Sequence, residues 1–198
     1  MKSTVFVVDD DEAMRDALSQ LLEAAGLQVE THAGGAEFLA VYGENRPGCL
    51  LLDMPGLTGL EVQVELNARG FAIPILFLTG HGDIPMAVRA VQAGAVDFLE
   101  KPIKGTVLLE RVQRAMKLDE EWRESRSHAD AIKQRHARLS QREREIMALA
   151  VTGLTSKEIA RQLGISPRTV EVHRTHVMHK MDAANLAELI RLAASCND

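Results

Sequence analysis

Two cysteines are all the chain carries in 198 residues, and Cys49 and Cys196 stand far apart with no metal-ligand spacing around either. That excludes a disulfide-stapled scaffold and a thiolate metal module, so both read as reduced thiols, Cys49 as a buried one. Long apolar runs are also missing. Nothing approaches the ~20 residues that cross a bilayer, and the opening Met-Lys-Ser-Thr-Val-Phe-Val-Val-Asp-Asp puts carboxylates where a secretory leader would have its apolar segment. A cytoplasmic protein with no membrane partner is expected. Basic charge is scarce too: 23 Lys and Arg face 28 Asp and Glu, for a net charge of −5. Residues 1–117 hold ten basic against sixteen acidic side chains, and residues 118–198 thirteen against twelve. Any contact with nucleic acid must therefore rest on where the charges sit, not on their sum.

The length permits two small domains, each with its own core. Over the first 116 residues short apolar runs alternate with amphipathic helices, the pattern of a doubly wound α/β parallel sheet. Five strands are read at Thr4–Val8, Gln28–Thr31, Cys49–Leu52, Pro74–Leu78 and Val96–Leu99. The first, third and fourth are nearly continuous apolar runs, as strands covered on both faces should be. Ala13, Met14, Ala17, Leu18, Leu21, Leu22 and Ala25 stripe a helix that Gly26 ends, and Val107, Leu108, Val112 and Met116 stripe the last one, giving (βα)5. The domain boundaries are set at 1–118, a charged helical linker at 119–138, and 139–198. Residues 117–138 have eleven charged side chains in 22 and read as a solvated connecting helix. Positions 118, 122, 125, 129, 132, 136 and 139 follow a 4-3 spacing that also leaves open a weak self-pairing seam.

Beyond Leu139 the pattern is purely helical. Ser140-Gln-Arg-Glu143 and Thr155-Ser-Lys-Glu158 fit the capping box, Gly153 and Gly164 are natural helix stops, and Ser166-Pro167 is a cap followed by a first-turn proline. The helix opened there runs to about Met181, and Ala184-Asn185 precedes a fourth that reaches Ala194.

In a parallel sheet the carboxyl ends of the strands converge on one rim. Asp9, Asp10 and Asp11 follow the first strand, Asp53 the third, Thr79 the fourth and Lys101-Pro102 the fifth. Carboxylates crowded this way repel unless a hard cation sits among them, and magnesium suits such a site. A carboxylate beside a metal can attack phosphorus to give an acyl phosphate. On this reading Asp53 is the nucleophile, Asp9 and Asp10 hold Mg2+, Thr79 donates to the phosphoryl group and Lys101 pairs with its charge. Asp83 and His81 are read as ordinary loop side chains.

Val7-Val-Asp-Asp-Asp-Glu12, Leu50-Leu-Leu-Asp53, Phe77-Leu-Thr-Gly-His-Gly-Asp83 and Asp97-Phe-Leu-Glu-Lys-Pro102 together resemble the receiver domain of a two-component response regulator, flavodoxin-like in fold, over about 118 residues. The resemblance implies phosphotransfer from a sensor histidine kinase to Asp53, then movement of Thr79 and the aromatic Phe98. It further implies dimerisation through the face of the fourth helix, fifth strand and fifth helix, and a cis Lys101-Pro102 peptide. One departure stands out. The family reads Asp-x-x-Met-Pro-Gly where this chain reads Asp53-Met54-Pro55-Gly56, two residues shorter. The backbone carbonyl that the family lends to magnesium falls on Pro55, and weakened phosphorylation, a locked conformation and no effect all stay open.

Residues 155–163, a turn and the helix from Pro167 form a helix-turn-helix. Along the second helix Val170, His173, Val177 and Met181 share one side, while Arg168, Val172, Thr175 and His179 lie opposite with Glu171 and His176 on the flanks. An outward face of Arg, Thr, His and Val suits the major groove. His173, beside Val170 and Val177, reads as a half-buried packing residue and not as a ligand. Leu139-Ser-Gln-Arg-Glu-Arg-Glu145, Gly153-Leu-Thr-Ser-Lys-Glu-Ile-Ala160 and Thr169-Val-Glu-Val-His-Arg174 are similar to the LuxR-type helix-turn-helix of the NarL/FixJ group. That similarity makes Lys157 a phosphate contact and puts Glu171, Val172 and Thr175 at base edges, with Arg168, Thr169, His176 and His179 also on the DNA side. Arg174 is open between a phosphate anchor and an intramolecular pair. The expected protein is a transcription regulator, not a turnover enzyme. It binds a double-stranded operator as a homodimer and meets RNA polymerase. A haloacid-dehalogenase-style hydrolase would need a second Asp where Pro55 stands, and a flavin carrier would need a phosphate cradle in place of the acidic cluster. A regulator whose DNA binding ignores phosphorylation remains the main rival.

Overall fold

The computed structural model describes residues 2–43, 46–53, 58–80 and 84–195. It divides into two compact units, Met1–Arg123 and Glu124–Asp198.

The first unit runs β1 (Thr4–Asp9), α1 (Glu12–Ala24), β2 (Gln28–His32), α2 (Gly35–Val41), β3 (Gly48–Asp53), α3 (Thr58–Ala68), β4 (Ile75–Thr79), α4 (Ile84–Gln92), β5 (Asp97–Glu100) and into α5 (Gly105–Ala137). The strands are parallel in the order β2-β1-β3-β4-β5. Side chains alternate across a strand, so each buried strand supplies two cores. Phe6, Val8, Leu50, Leu52, Ile75 and Phe77 face one way against Phe38, Val62, Leu66 and Ala90 of α2, α3 and α4. Val5, Val7, Cys49, Leu51, Leu76 and Leu78 face the other way against Leu18 and Leu22 of α1 and Leu108, Val112 and Ala115 of α5. This is why those three strands read as unbroken apolar runs. The expected strands are all present, each differing from its expected limits by a residue at one or both ends.

Helix α5 has no break at residue 118. The charged stretch that reads as solvated begins with a side chain that is not: Asp119 is only 1% exposed. Its Oδ2 accepts from the Gly48 amide at 2.8 Å and from Arg123 Nε at 2.7 Å, and Arg123 donates onward to the Arg46 carbonyl at 2.7 Å. The clamp holds the start of β3, where the backbone of Gly48 at φ +144 passes so close to β1 that a Cβ would lie 1.7 Å from the Thr4 carbonyl oxygen.

The second unit contains α6 (Gln141–Ala150), α7 (Ser156–Leu163), α8 (Pro167–Met181) and α9 (Leu186–Ala194). Both capping boxes form, Ser140 with Glu143 and Thr155 with Glu158, while Ser166 and Asn185 cap α8 and α9. Gly164 ends α7 in the left-handed region that suits glycine. Ile132 and Leu139, two positions of the 4-3 spacing, are buried in this unit's own core with Met147, Val177, Met181 and Leu189. A second cluster joins Ile146, Ala150, Ile159, Ala160 and Val170 beneath the turn between α7 and α8.

Candidate acidic site and nucleic-acid interface

Strand register assembles the acidic site. Asp9 and Asp53 are directly paired as the last residues of β1 and β3. Asp53 pairs with Leu78, one residue before Thr79, and Thr79 pairs with Glu100, one residue before Lys101. Side chains at the ends of four neighbouring strands therefore meet on one rim, next to the switch in strand order between β1 and β3. Lys101 Nζ forms an ion pair with Asp53 Oδ2, and the Lys101 amide donates to the Thr79 carbonyl at 2.8 Å. The Lys101-Pro102 peptide is cis.

Asp9 is 2% exposed. Its Oδ1 accepts from the Asp11 amide at 2.8 Å, while its Oδ2 is buried without a hydrogen-bond donor. Burial raises its carboxyl to about 6, and neighbouring Asp53 pushes the same way against the lowering effects of the Asp11 amide and Lys101. Two carboxylates on adjacent strands, one with an orphaned buried oxygen, form a hard all-oxygen donor set that fits a magnesium ion. Asp10 is exposed at the end of β1. Asp11, counted with the acidic cluster on sequence, is instead the N-cap of α1, accepting from the Ala13 and Met14 amides. Thr79 is buried at the end of β4, and Phe98 is half-buried, stacked on Phe77 at 6.2 Å between centroids. Pro55, His81, Asp83 and Cys196 lie outside the described residues.

In the second unit Val170, Val177 and Met181 are buried on the inner side of α8. Lys157, Arg168, Thr169, Glu171, Val172, Thr175, His176 and His179 are all exposed. Arg168 pairs with Glu171 at 3.5 Å, and the Thr175 hydroxyl donates back to the Glu171 carbonyl at 3.0 Å. Arg174 is half-buried and donates from one guanidinium nitrogen to the Leu154 carbonyl at 3.4 Å. Sequence reasoning found Glu143 only as half of a capping box. It also binds Lys180 of α8 at 2.6 Å, a contact between α6 and α8 that no local spacing announces.

A doubly wound sheet with paired carboxylates and a lysine on its carboxyl rim, followed by a helix-turn-helix, defines a receiver-type module joined to a DNA-binding module. Residues 5–113 match the response regulator receiver domain, and residues 137–193 match the bacterial regulatory proteins of the luxR family. The chain is 46% identical over 191 residues to the transcriptional regulatory protein FixJ of Azorhizobium caulinodans, covering 96% of this chain and 90% of that one. It is 44% identical to nodulation protein W of Bradyrhizobium diazoefficiens, covering 97% and 86% respectively. Among solved structures, the response regulator StyR matches with TM-score 0.89 and 43% identity over 98% of this chain and 99% of that one. Full-length FixJ from B. japonicum matches with TM-score 0.60 and 44% identity over 100% and 98%. The chain belongs to the two-component response regulators of the NarL/FixJ group, transcription regulators that join a receiver to a LuxR-type DNA-binding domain. No described helix is long and apolar enough to cross a membrane.

Proposed function

We propose that Asp53 is the phosphoacceptor of this regulator and that its phosphorylation by a sensor histidine kinase controls dimerisation and operator binding. The observation that carries the reading is the rim itself: Asp53 ion-paired to Lys101 and set in register against Asp9, whose buried Oδ2 lacks a donor. Asp9, Asp10 and Asp53 would hold magnesium, which when bound supplies positive charge to the phosphoryl oxygens. An Asp53 carboxylate oxygen attacks phosphorus while the donor's bond to phosphorus breaks and its electron pair leaves with the donor, forming an acyl phosphate. Lys101 then transfers its pairing from the carboxylate to a phosphoryl oxygen, and the Thr79 hydroxyl donates to another. Movement of Thr79 frees space for Phe98, which passes the change to the face of α4, β5 and α5. In the second unit Lys157 contacts phosphate, Arg168, Thr169, Glu171, Val172, Thr175, His176 and His179 face the groove, and α9 supplies a dimer contact. Two such units read a roughly two-fold symmetric site and present the protein to RNA polymerase in the cytoplasm.

The test is intact-mass spectrometry after incubation with magnesium and a small-molecule phosphodonor. The parent should gain one phosphoryl group and Asp53→Asn none. A second reading rests on the loop after Asp53, two residues shorter than the family pattern, and takes the receiver as only a dimerisation or inhibitory module, so that DNA binding does not depend on phosphate. Absence of a gain in the parent, with a control receiver labelled in parallel, refutes the first reading and favours the second.

A further inference from the structure

Glu143 in the first turn of α6 and His173 and His176 on α8 each offer one ligand atom, and these atoms lie within 4.8 Å of one another. Glu143 is 3% exposed. Its Oε2 accepts from the Ser140 amide at 2.7 Å and from Lys180 Nζ at 2.6 Å, so the carboxylate is fixed and ionised. Its Oε1 faces His176 Nδ1 at 3.9 Å, too long for a hydrogen bond. His173 Nδ1 is buried with no hydrogen-bond partner, although the position of His173 beside Val170 and Val177 reads as ordinary packing. Two imidazoles one helical turn apart and an oriented carboxylate thus bring one ligand atom each to a common point.

From this cluster we infer that the second unit carries a binding site for a zinc-class divalent cation, with Glu143, His173 and His176 as ligands and water in the fourth position. Two imidazoles and one carboxylate form the three-ligand, open-position set that zinc accepts, while magnesium and calcium prefer oxygen ligands alone. Tetrahedral bonds of about 2.1 Å place ligand atoms roughly 3.4 Å apart. The cluster must therefore contract by up to about 1.4 Å, a distance within reach of side-chain rotation at His176, whose side chain is 57% exposed. Lys180 opposes a cation electrostatically, but it sits on Oε2, the oxygen the site does not use. There it and the Ser140 amide act as the outer hydrogen bonds that orient a ligating carboxylate. His176 is also among the residues assigned to the DNA side. A bound cation would draw it toward α6, so metal and DNA would compete for one side chain.

Zinc is titrated into the full-length protein against a chromogenic chelator, with excess magnesium present to occupy the acidic rim. One equivalent should be taken up, and the cobalt-substituted protein should show the strong visible absorption of a tetrahedral site. His176→Ala should weaken uptake at least about tenfold, His176→Cys should retain it, and Asp53→Asn should match the parent. Because His176 is largely exposed the variants should fold, which circular dichroism checks. A parent that takes up no zinc in magnesium, a His176→Ala protein that binds like the parent, or loss of uptake in Asp53→Asn overturns the inference. The last outcome would place the ion on the receiver rim.

Discussion

Replacing Asp119 by alanine should destabilise the first unit by about 3 kcal/mol. The substitution removes the acceptor of two hydrogen bonds, from the Gly48 amide at 2.8 Å and from Arg123 Nε at 2.7 Å. Hydrogen bonds to a charged group contribute about 1.5–3 kcal/mol each, and breaking a buried ion pair costs about 3–5 kcal/mol. The Arg123 side chain is 25% exposed, so water repays part of its loss and the lower end applies. The amide of Gly48 gains no such relief, because β3 is held against the Thr4 backbone at that point. Asp119→Asn keeps an oxygen for Gly48 and loses the ionic partner of Arg123, so about half the effect should remain. Urea unfolding of the full-length chain, followed by fluorescence of Trp122, its single tryptophan, reads the change. With a slope of about 2 kcal/mol per molar urea, Asp119→Ala should lower the midpoint of that transition by about 1.5 M. A shift worth less than about 1 kcal/mol, or an asparagine variant as damaged as the alanine one, would refute the clamp.

Four further outcomes are expected. The Arg46 guanidinium donates to both Glu30 oxygens and holds that carboxyl below its ordinary 4.5. A depressed carboxyl stabilises the fold above its unfolded value and loses that contribution as pH falls through the folded one. Glu30→Gln should thus cost less than about 1 kcal/mol at neutral pH, and urea midpoints of parent and variant should begin to converge as the pH falls below about 4.5 and meet once it is below the depressed folded value. Burial pushes the Cys49 thiol up to about 12, so peptide-level mass spectrometry at neutral pH should find it unalkylated until urea opens the first unit. Lys157→Ala should weaken operator and unrelated DNA alike and reduce the salt slope by about one. Val172→Ala should instead cost about 1 kcal/mol at particular base positions and little on non-cognate DNA, as competition binding would show.

The parts of this molecule that sequence reveals are those whose cause is local. Runs such as Val5–Val8 and Cys49–Leu52 are apolar at every position because both faces are covered, and their ends place Asp9 and Asp53 on the same rim. The capping boxes at Ser140 and Thr155 announce helix starts through a three-residue spacing. Asp11 obeys the same local logic, yet in a row of three aspartates composition hides which one caps and which one faces the sheet rim. Asp119 and Glu143 escape for a different reason: their partners, Gly48 and Lys180, lie 71 and 37 residues away. A charged residue in a charged stretch carries no mark of such a contact, because charge density records average solvation, whereas a buried carboxylate's contact depends on one particular neighbour.

Periodicity has the same blind spot, and the linker shows where it lies. The 4-3 spacing from Leu118 to Leu139 is equally the signature of a helix packing against another copy and of one packing into its own domain, since both need an apolar stripe every three or four residues. Ile132 and Leu139 are taken up by the core of the second unit. Of the remaining seam positions, Ser125, Ala129 and His136 contribute little apolar surface, which leaves Leu118 and Trp122. A coiled coil needs apolar seam positions sustained over three or four heptads, and two residues within one heptad do not reach that length. Two of the stripe's four large apolar residues, Ile132 and Leu139, are thus accounted for by intramolecular packing. On the proposed function, a dimer draws its contact area from the receiver face of α4, β5 and α5 or from α9, because a zipper along the end of α5 would have to take Ile132 and Leu139 out of the second unit's own core.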